Sequence, residues 1–435
     1  MSRQKRIVVP VLAAAGILII LWLMLVSAAM IPNAAIQENM EKSALSYREK
    51  EAFSFEGSRH MNAVSDNYAD AILLNVSWNM GIGHPFIASL DTKYYDGDAL
   101  GENVGLYLAV TDAGAEPNTG YTRYWHGSAA FVRLMHLVTD VDGMKLVGAA
   151  AVCLLAVITV LVLARRGHVS LAFALLTSLA TVQIWNIRLS LEYQPTFIIC
   201  FLLTPLYLWL ERRDDWYLTL LSALGGVLAA FFDFLTTETV VILVPLVLVV
   251  AVREREGRLG EFRDTVRQLF SCGIFWLGAY GGTFLVKWAA ATLATGKNQF
   301  GEAVLSAGER FGGSLAGEGP ENPFLHLPAA VAANLTALGG GEARVEPLRA
   351  VGVLVIAIAV AGSVWYLFRV PGQKDVAGRL LLLLGGVVFL RYLVLSNHSY
   401  LHAFFTYRAL VSVALALYVW MALLFSNGGK KGRRR

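Results

Sequence analysis

The chain is predicted to be an all-α polytopic membrane protein of about ten transmembrane helices, with a large first extracytoplasmic loop that carries helices lying on the membrane surface. Three observations predict it. Apolar residues make up 56% of the 435 positions and charged residues only 16%. The apolar residues gather in blocks of roughly 17 to 25, the length that crosses a bilayer as helix. Lys and Arg mark alternate connections between those blocks, in SRQKR, ARRGH, ERRDD, REREGRLGEFRDTVRQ, RVPGQKDVAGR and KKGRRR. By the positive-inside rule these connections and both termini are cytoplasmic, and the remaining connections face out. Between Ile31 and Gly143 there are fifteen Asp or Glu against seven Lys or Arg, the opposite bias, so the same rule places this stretch outside.

The spans are expected at about 7–29, 146–164, 169–184, 195–210, 216–232, 239–252, 268–293, 351–368, 380–395 and 409–425. The first block is longer than the apolar core of a signal peptide and reads as an uncleaved anchor. It is followed by an outer loop over 30–145. Spans two to seven fill 146–293, a second long outer loop rich in Gly and Ala covers 294–350, the last three spans fill 351–425, and 426–435 form a basic cytoplasmic tail. Within the first loop, NYADAILLNVSW and TRYWHGSAAFVRLMHLV mix apolar and polar positions at helical spacing. They are expected as surface-lying helices, with Tyr124 and Trp125 at headgroup level. The spans over 169–184 and 239–252 are short for an upright crossing. Short paired helices can end at mid-depth and leave a polar cavity.

Several function classes fall away. A net charge of +4 is accounted for by membrane topology, and no nucleic-acid role is indicated. Cys153, Cys200 and Cys272 lie in apolar segments without metal-ligand spacing and read as small core residues. No Walker loop, GxGxxG nucleotide site, HExxH or GxSxG stands in a credible context, so chemistry on a soluble nucleotide is unsupported.

The candidate site residues lie at the outer ends of the spans. Asp66 and Asp70, in SDNYADAILLNVSW, are one helical turn apart just beyond the first span, where two carboxylates repel unless a proton or cation is shared. Asp66 also suits a helix N-cap. Asp233 and Glu238 flank the turn of FFDFLTTETVVILV. Acids at that depth face a cavity or a partner. Lys287, within an apolar block, either snorkels to headgroups or meets the anionic group of a bound lipid. NHSYLHAFFTYRAL offers His398, His402, Tyr407 and Arg408. The two imidazoles lack a third metal ligand, whereas the guanidinium of Arg408 suits phosphate oxygens. Arg188 and Glu192 stand four apart in WNIRLSLEYQP, placed either for an ion pair or for substrate contact.

The order of parts resembles the GT-C superfamily of integral-membrane glycosyltransferases that use polyprenyl-phosphate-linked sugars. One span is followed by an outer loop with an acid near its start. TRYWHGSAAFVRLMHLVTDVDG then stands where such enzymes run from a surface helix into the second span. LAFALLTSLATVQIWNIRLSLEYQPTFIICFLLTPLYLWLERR is similar to their paired short third and fourth spans. Two departures stand out: Asn67 follows Asp66 where a paired acid is common, and Asp233 and Glu238 occupy a turn that is often basic.

The resemblance implies an inverting transfer of sugar from the lipid-phosphate donor to an extracytoplasmic glycan, lipid or protein. Asp66, with Asp70 next, would be the general base, and Lys287 and Arg408 would bind phosphate. It implies no certain cofactor beyond a possible divalent cation, and a plasma-membrane location with the active site outside. The alternatives are a flippase or transporter of lipid-linked sugars, which would carry internal inverted repeats, and a polysaccharide polymerase or ligase, which would place its large loop late.

Overall fold

The computed structural model describes residues 2–57, 60–312, 326–341, 362, 365–366 and 375–432. Helix accounts for 77% of the chain, and the described strands form only two short antiparallel ladders, so the protein is all-α. Six of the described helices are long and apolar enough to cross a membrane: Gln4–Ala29, Val141–Arg165, Leu191–Leu210, Phe262–Thr295, Val376–Val394 and Ala403–Leu424. Val169–Thr181, Trp216–Phe232 and His326–Leu338 are apolar but shorter. The last of these falls within the expected second outer loop. Most of the expected span at 351–368, and residues 313–325 and 342–350 of that loop, lie outside the described residues, as do the last three residues of the basic tail.

Val240–Arg255 is the central helix. Every residue from Val240 to Val252 is buried, because it packs against the Pro195–Leu210, Val376–Val394 and Val411–Gly432 helices. A helix that is apolar all round needs such enclosure, and its sequence VVILVPLVLVVAV supplies no polar face. Trp216–Phe232 lies along Phe262–Thr295 at a distance only glycine permits, since a Cβ on Gly226 would stand 2.3 Å from the Trp276 carbonyl oxygen.

The connections at 166–168, 211–215 and 253–258 gather at one end of the bundle. There Glu211 accepts from Arg166 at 2.7 Å and Arg258 at 2.7 Å, Glu256 from Arg166 and Arg212 at 2.8 Å each, and Arg6 pairs with Asp214 at 2.8 Å. These are the basic connections of the sequence, drawn together with their own acids. The first loop caps the opposite end.

That loop is less peripheral than expected. Asn67–Asn79 does not lie on a surface: eleven of its thirteen residues are buried, enclosed by the Asn33–Arg48, Gly101–Thr111 and Ser128–Met135 helices. Trp125 and Tyr124 are buried as well, and Trp125 Nε1 donates to the Thr283 carbonyl at 2.8 Å. Ser128–Met135 keeps an exposed apolar side, with Phe131 and Leu134 outward.

Arg133, on that helix, is fully buried and clamps three backbone segments. Its Nε donates to Ala28 O at 2.9 Å, Nη1 to Ser77 O at 2.6 Å and Nη2 to Ile31 O. All three carbonyls sit at or just beyond helix C-termini, where intrahelical donors have run out. Arg133→Ala is therefore expected to destabilise the fold by about 3 kcal/mol or more, from lost charge-assisted bonds of about 1.5–3 kcal/mol each. Thermal unfolding of the purified variant checks this, and an unchanged midpoint would contradict it.

Candidate active site

Asp66 is positioned by two local devices. Strand β1 (Phe53–Phe55) pairs antiparallel with β2 (Val64–Asp66), placing Phe53 opposite Asp66. The chain then turns into the Asn67–Asn79 helix, whose N-cap is Asp66: its Oδ1 accepts from Ala69 N at 2.8 Å. Asn67 explains the missing second acid, because its Nδ2 donates to Glu51 O and to Ser54 Oγ, both at 2.9 Å, and so ties the helix start to the β1 segment. Asp66 is a cap and also lines a cavity of about 740 Å³.

Facing it is Glu192. The Val169–Thr181 helix has 13 residues and is about 20 Å long, too short for a hydrocarbon core of about 30 Å. Gln183 adopts a left-handed conformation with φ +46°, and tight turns at Ile184–Leu189 and Leu191–Tyr193 follow. This turn sequence is bound to the first loop: Asn186 Nδ2 donates to Asn62 O at 2.9 Å and the Tyr193 hydroxyl to Val64 O at 3.0 Å. Glu192 lines the same cavity as Asp66, and the two carboxyl groups interact there. Burial above all pushes the Asp66 carboxyl up to about 7 against the opposing pull of the Ala69 amide.

The rest of the wall is aromatic and cationic. Tyr68, Tyr121, Tyr124, His126, Phe234 and Phe405 contribute rings, and Arg123 and Arg310 contribute charge. The Arg123 guanidinium lies 4.4 Å from the Tyr121 ring centre and that of Arg310 5.8 Å from Tyr124. Burial drives His126 down to about 3, and it holds His398 well below its ordinary value with His402 adding to the effect. These imidazoles are therefore neutral at physiological pH.

Arg123, Tyr124 and Arg310 also border a second space of about 690 Å³. That space is an apolar groove between the Val240–Arg255, Phe262–Thr295 and Val376–Val394 helices, walled by residues such as Leu246, Ile274, Leu277 and Leu390. Ile274, Leu277 and Leu390 are more than half exposed, so the groove opens sideways. A polar cavity and a lateral apolar groove thus meet at two arginines.

The sequence-predicted residues divide sharply. Asp66, His398 and His402 line the cavity. Asp70 does not: its carboxylate receives Tyr47 Oη at 2.8 Å, Lys145 Nζ at 2.7 Å, Ser190 Oγ at 2.7 Å and Leu191 N at 2.8 Å, which leaves it no capacity to act as a base. Lys287 borders neither space, since its ammonium donates to Ser89 O at 3.1 Å and Leu90 O at 2.8 Å. Arg408 is buried between the rings of Tyr193 and Tyr407 at 4.2 and 4.8 Å, and Tyr407 donates to Val182 O at 3.2 Å.

Asp233 caps its own turn through Thr236 N at 3.0 Å. Its carboxyl is pushed up to about 7, chiefly by burial and then by Glu238. Glu238 pairs with Arg391 at 3.0 Å, so this turn does carry a basic residue, supplied from another helix. Leu235, with φ +66°, turns its carbonyl to accept from Arg391 Nη2 at 2.7 Å and His398 Nε2 at 2.9 Å. Arg188 is exposed while Glu192 is buried, so the anticipated i,i+4 pair is replaced by the contact of Glu192 with Asp66. Among the described residues no three His, Cys, Asp or Glu side chains converge to hold a metal ion.

Sequence reasoning did not single out Arg123, Tyr124, His126 or Arg310 as site residues. The TRYWH run carried the available signal, three aromatic residues (Tyr124, Trp125 and His126) beside an arginine, but it read as a headgroup-level anchor. Comparison with protein-family models finds no match, and neither the curated proteins nor the solved structures yield one.

Two predictions follow from this geometry. Asp70→Ala leaves Lys145 buried without its counter-charge and is expected to cost about 3–5 kcal/mol, read as a large fall in thermal midpoint; a midpoint equal to wild type would argue against it. Asp66 holds its proton up to about pH 7 in the fold but releases it near 3.8 when unfolded. Its contribution to stability is therefore fully present below about 3.8 and is lost as pH rises through about 7. Asp66→Asn retains the cap without titrating, so its midpoint should gain on wild type between pH 5 and pH 8. A difference that does not change with pH would refute the assignment.

Proposed function

We propose that the protein is an integral-membrane glycosyltransferase that moves a sugar from a polyprenyl-phosphate carrier to an acceptor outside the cell. The observation that carries this reading is the adjacency of the two spaces: a cavity lined by the carboxyl groups of Asp66 and Glu192 and a lateral apolar groove share Arg123, Tyr124 and Arg310 as wall residues. A donor made of a sugar, a phosphate and a long hydrocarbon chain has the same sequence of chemistries. Its chain fits the groove, its phosphate the two guanidinium groups, and its sugar the cavity. The layout of one span, an acidic outer loop and short paired spans supports the same class.

In the proposed reaction the acceptor hydroxyl attacks the anomeric carbon from the face opposite the phosphate. The new C–O bond forms as the bond to the phosphate oxygen breaks, and the lipid phosphate departs with the electron pair, its charge met by Arg123 and Arg310. The acceptor proton passes to Asp66. The Asn67–Asn79 N-terminus favours the anion on Asp66, because the Ala69 amide donates to it. The anomeric centre is inverted. The cavity end faces the outside of the plasma membrane and the Arg-rich end the cytoplasm.

Purified protein given a panel of polyprenyl-phosphate sugars is expected to consume at least one donor, with turnover rising as pH passes about 7. Asp66→Asn should lower turnover by about 10²- to 10⁴-fold. Arg123→Ala should raise the donor KM by about ten- to a hundredfold, the loss of one charge-assisted contact. Full activity in Asp66→Asn would remove Asp66 as the base, and a wild type that consumes no donor would overturn the transferase reading.

A further inference from the structure

The Asp66 cavity has a third chemistry, an aromatic pair in its wall. Phe53 and Tyr68 line it and stack on each other, with ring centres 6.2 Å apart and planes at 26°. Both remain open, Phe53 at 41% and Tyr68 at 38% exposure, although large aromatic side chains left uncovered forfeit burial of about 25 cal/mol per Å². Phe53 is held edge-on by Phe404 at 5.4 Å, and Tyr68 N donates to Ala52 O at 3.0 Å. The pair is therefore a fixed platform. It is also registered on the candidate base, because Phe53 stands across the ladder from Asp66 and Tyr68 is two residues beyond it. Beside it Glu192 Oε1, buried in the same cavity wall, has no hydrogen-bond partner among the described residues.

We infer that this platform is the acceptor subsite and that the acceptor it takes is a saccharide. The inference rests on the transferase reading for the word acceptor, but not for the ligand class. A pyranose ring presents a face of C–H bonds and a rim of hydroxyls. Such a molecule needs a flat aromatic surface for the face and a buried acceptor atom for a hydroxyl, and these two features stand side by side here. A lipid acceptor would require a continuous apolar wall, and that wall belongs to the groove, whose lining includes neither Phe53 nor Tyr68. A peptide would require free backbone donors and acceptors, and the strand carrying Phe53 has one ladder edge already taken by β2.

The test is saturation-transfer NMR on the full-length protein in lipid nanodiscs. The probes are maltotriose, cellotriose, mannotriose and chitotriose, beside a Ser- and Thr-containing octapeptide. At least one trisaccharide is expected to bind saturably, with its ring C–H protons receiving most saturation. Affinity should fall about tenfold in Phe53→Ala and in Tyr68→Ala and be retained in Phe53→Trp, each variant being checked for a wild-type thermal midpoint. Absence of trisaccharide binding, binding indifferent to both alanine variants, or displacement by the octapeptide would overturn the inference. Donor consumption by wild type in the same preparation separates the two readings. A consumed donor without saccharide binding removes only the acceptor class, whereas saccharide binding without donor consumption removes the transferase and leaves a carbohydrate-binding platform.

Discussion

The ion pair between Asp70 and Lys145 is the contact on which the site depends. Asp70 belongs to the Asn67–Asn79 helix, Lys145 to the Val141–Arg165 helix, and the Ser190 and Leu191 groups that also bind Asp70 belong to the turns after the short Val169–Thr181 helix. One buried carboxylate thus joins three segments that are distant in the chain. An unpaired charge at 1% exposure would cost several kcal/mol, so the three segments are held in one register. That register brings Glu192 of the turn to Asp66 of the loop. A residue that resembled half of a catalytic pair in the sequence is instead the group that positions the pair.

The same economy of charge runs through the end of the bundle that the first loop caps. Glu238 is matched by Arg391, the Leu235 carbonyl is turned inward to serve Arg391 and His398, and Lys287 is spent on the carbonyls of Ser89 and Leu90. Among the described residues, Arg123 and Arg310 line both the cavity and the apolar groove, and Arg391 lines the groove as well. On the proposed reading, this arrangement places positive charge where a lipid-borne phosphate would lie, in the same cavity wall as Asp66. At the other end Glu211 and Glu256 bind the arginines of three connections to one another.

Much of the helix layout was legible in the sequence. Runs such as those over 195–210 and 216–232 are bounded by Pro195 and Glu211 and by Asp215 and Asp233, and the helices Pro195–Leu210 and Trp216–Phe232 begin and end there. The polar first loop, the acid at its start and the shortness of the third span were equally readable, because hydropathy and length act locally. Long helices with buried ends were less so: Phe262–Thr295 extends well before the apolar block at 268, since its first turns are amphipathic and rest on neighbouring helices.

By itself, the sequence determined that the chain is helical and membrane-like, which connections carry positive charge, and that Asp66 begins a helix beside the first span. Only the tertiary structure decided the partner of each charged side chain. Asp66 and Asp70 lie one turn apart on the same helix, yet one faces a cavity and the other an ion pair. Glu192, four residues from Arg188, pairs with neither it nor any neighbour in sequence. The physical reason is that the free energy of a buried charge is set by groups within a few ångströms in space, and these come here from segments far apart in the chain, as with Asp70 and Lys145 or Asp70 and Ser190.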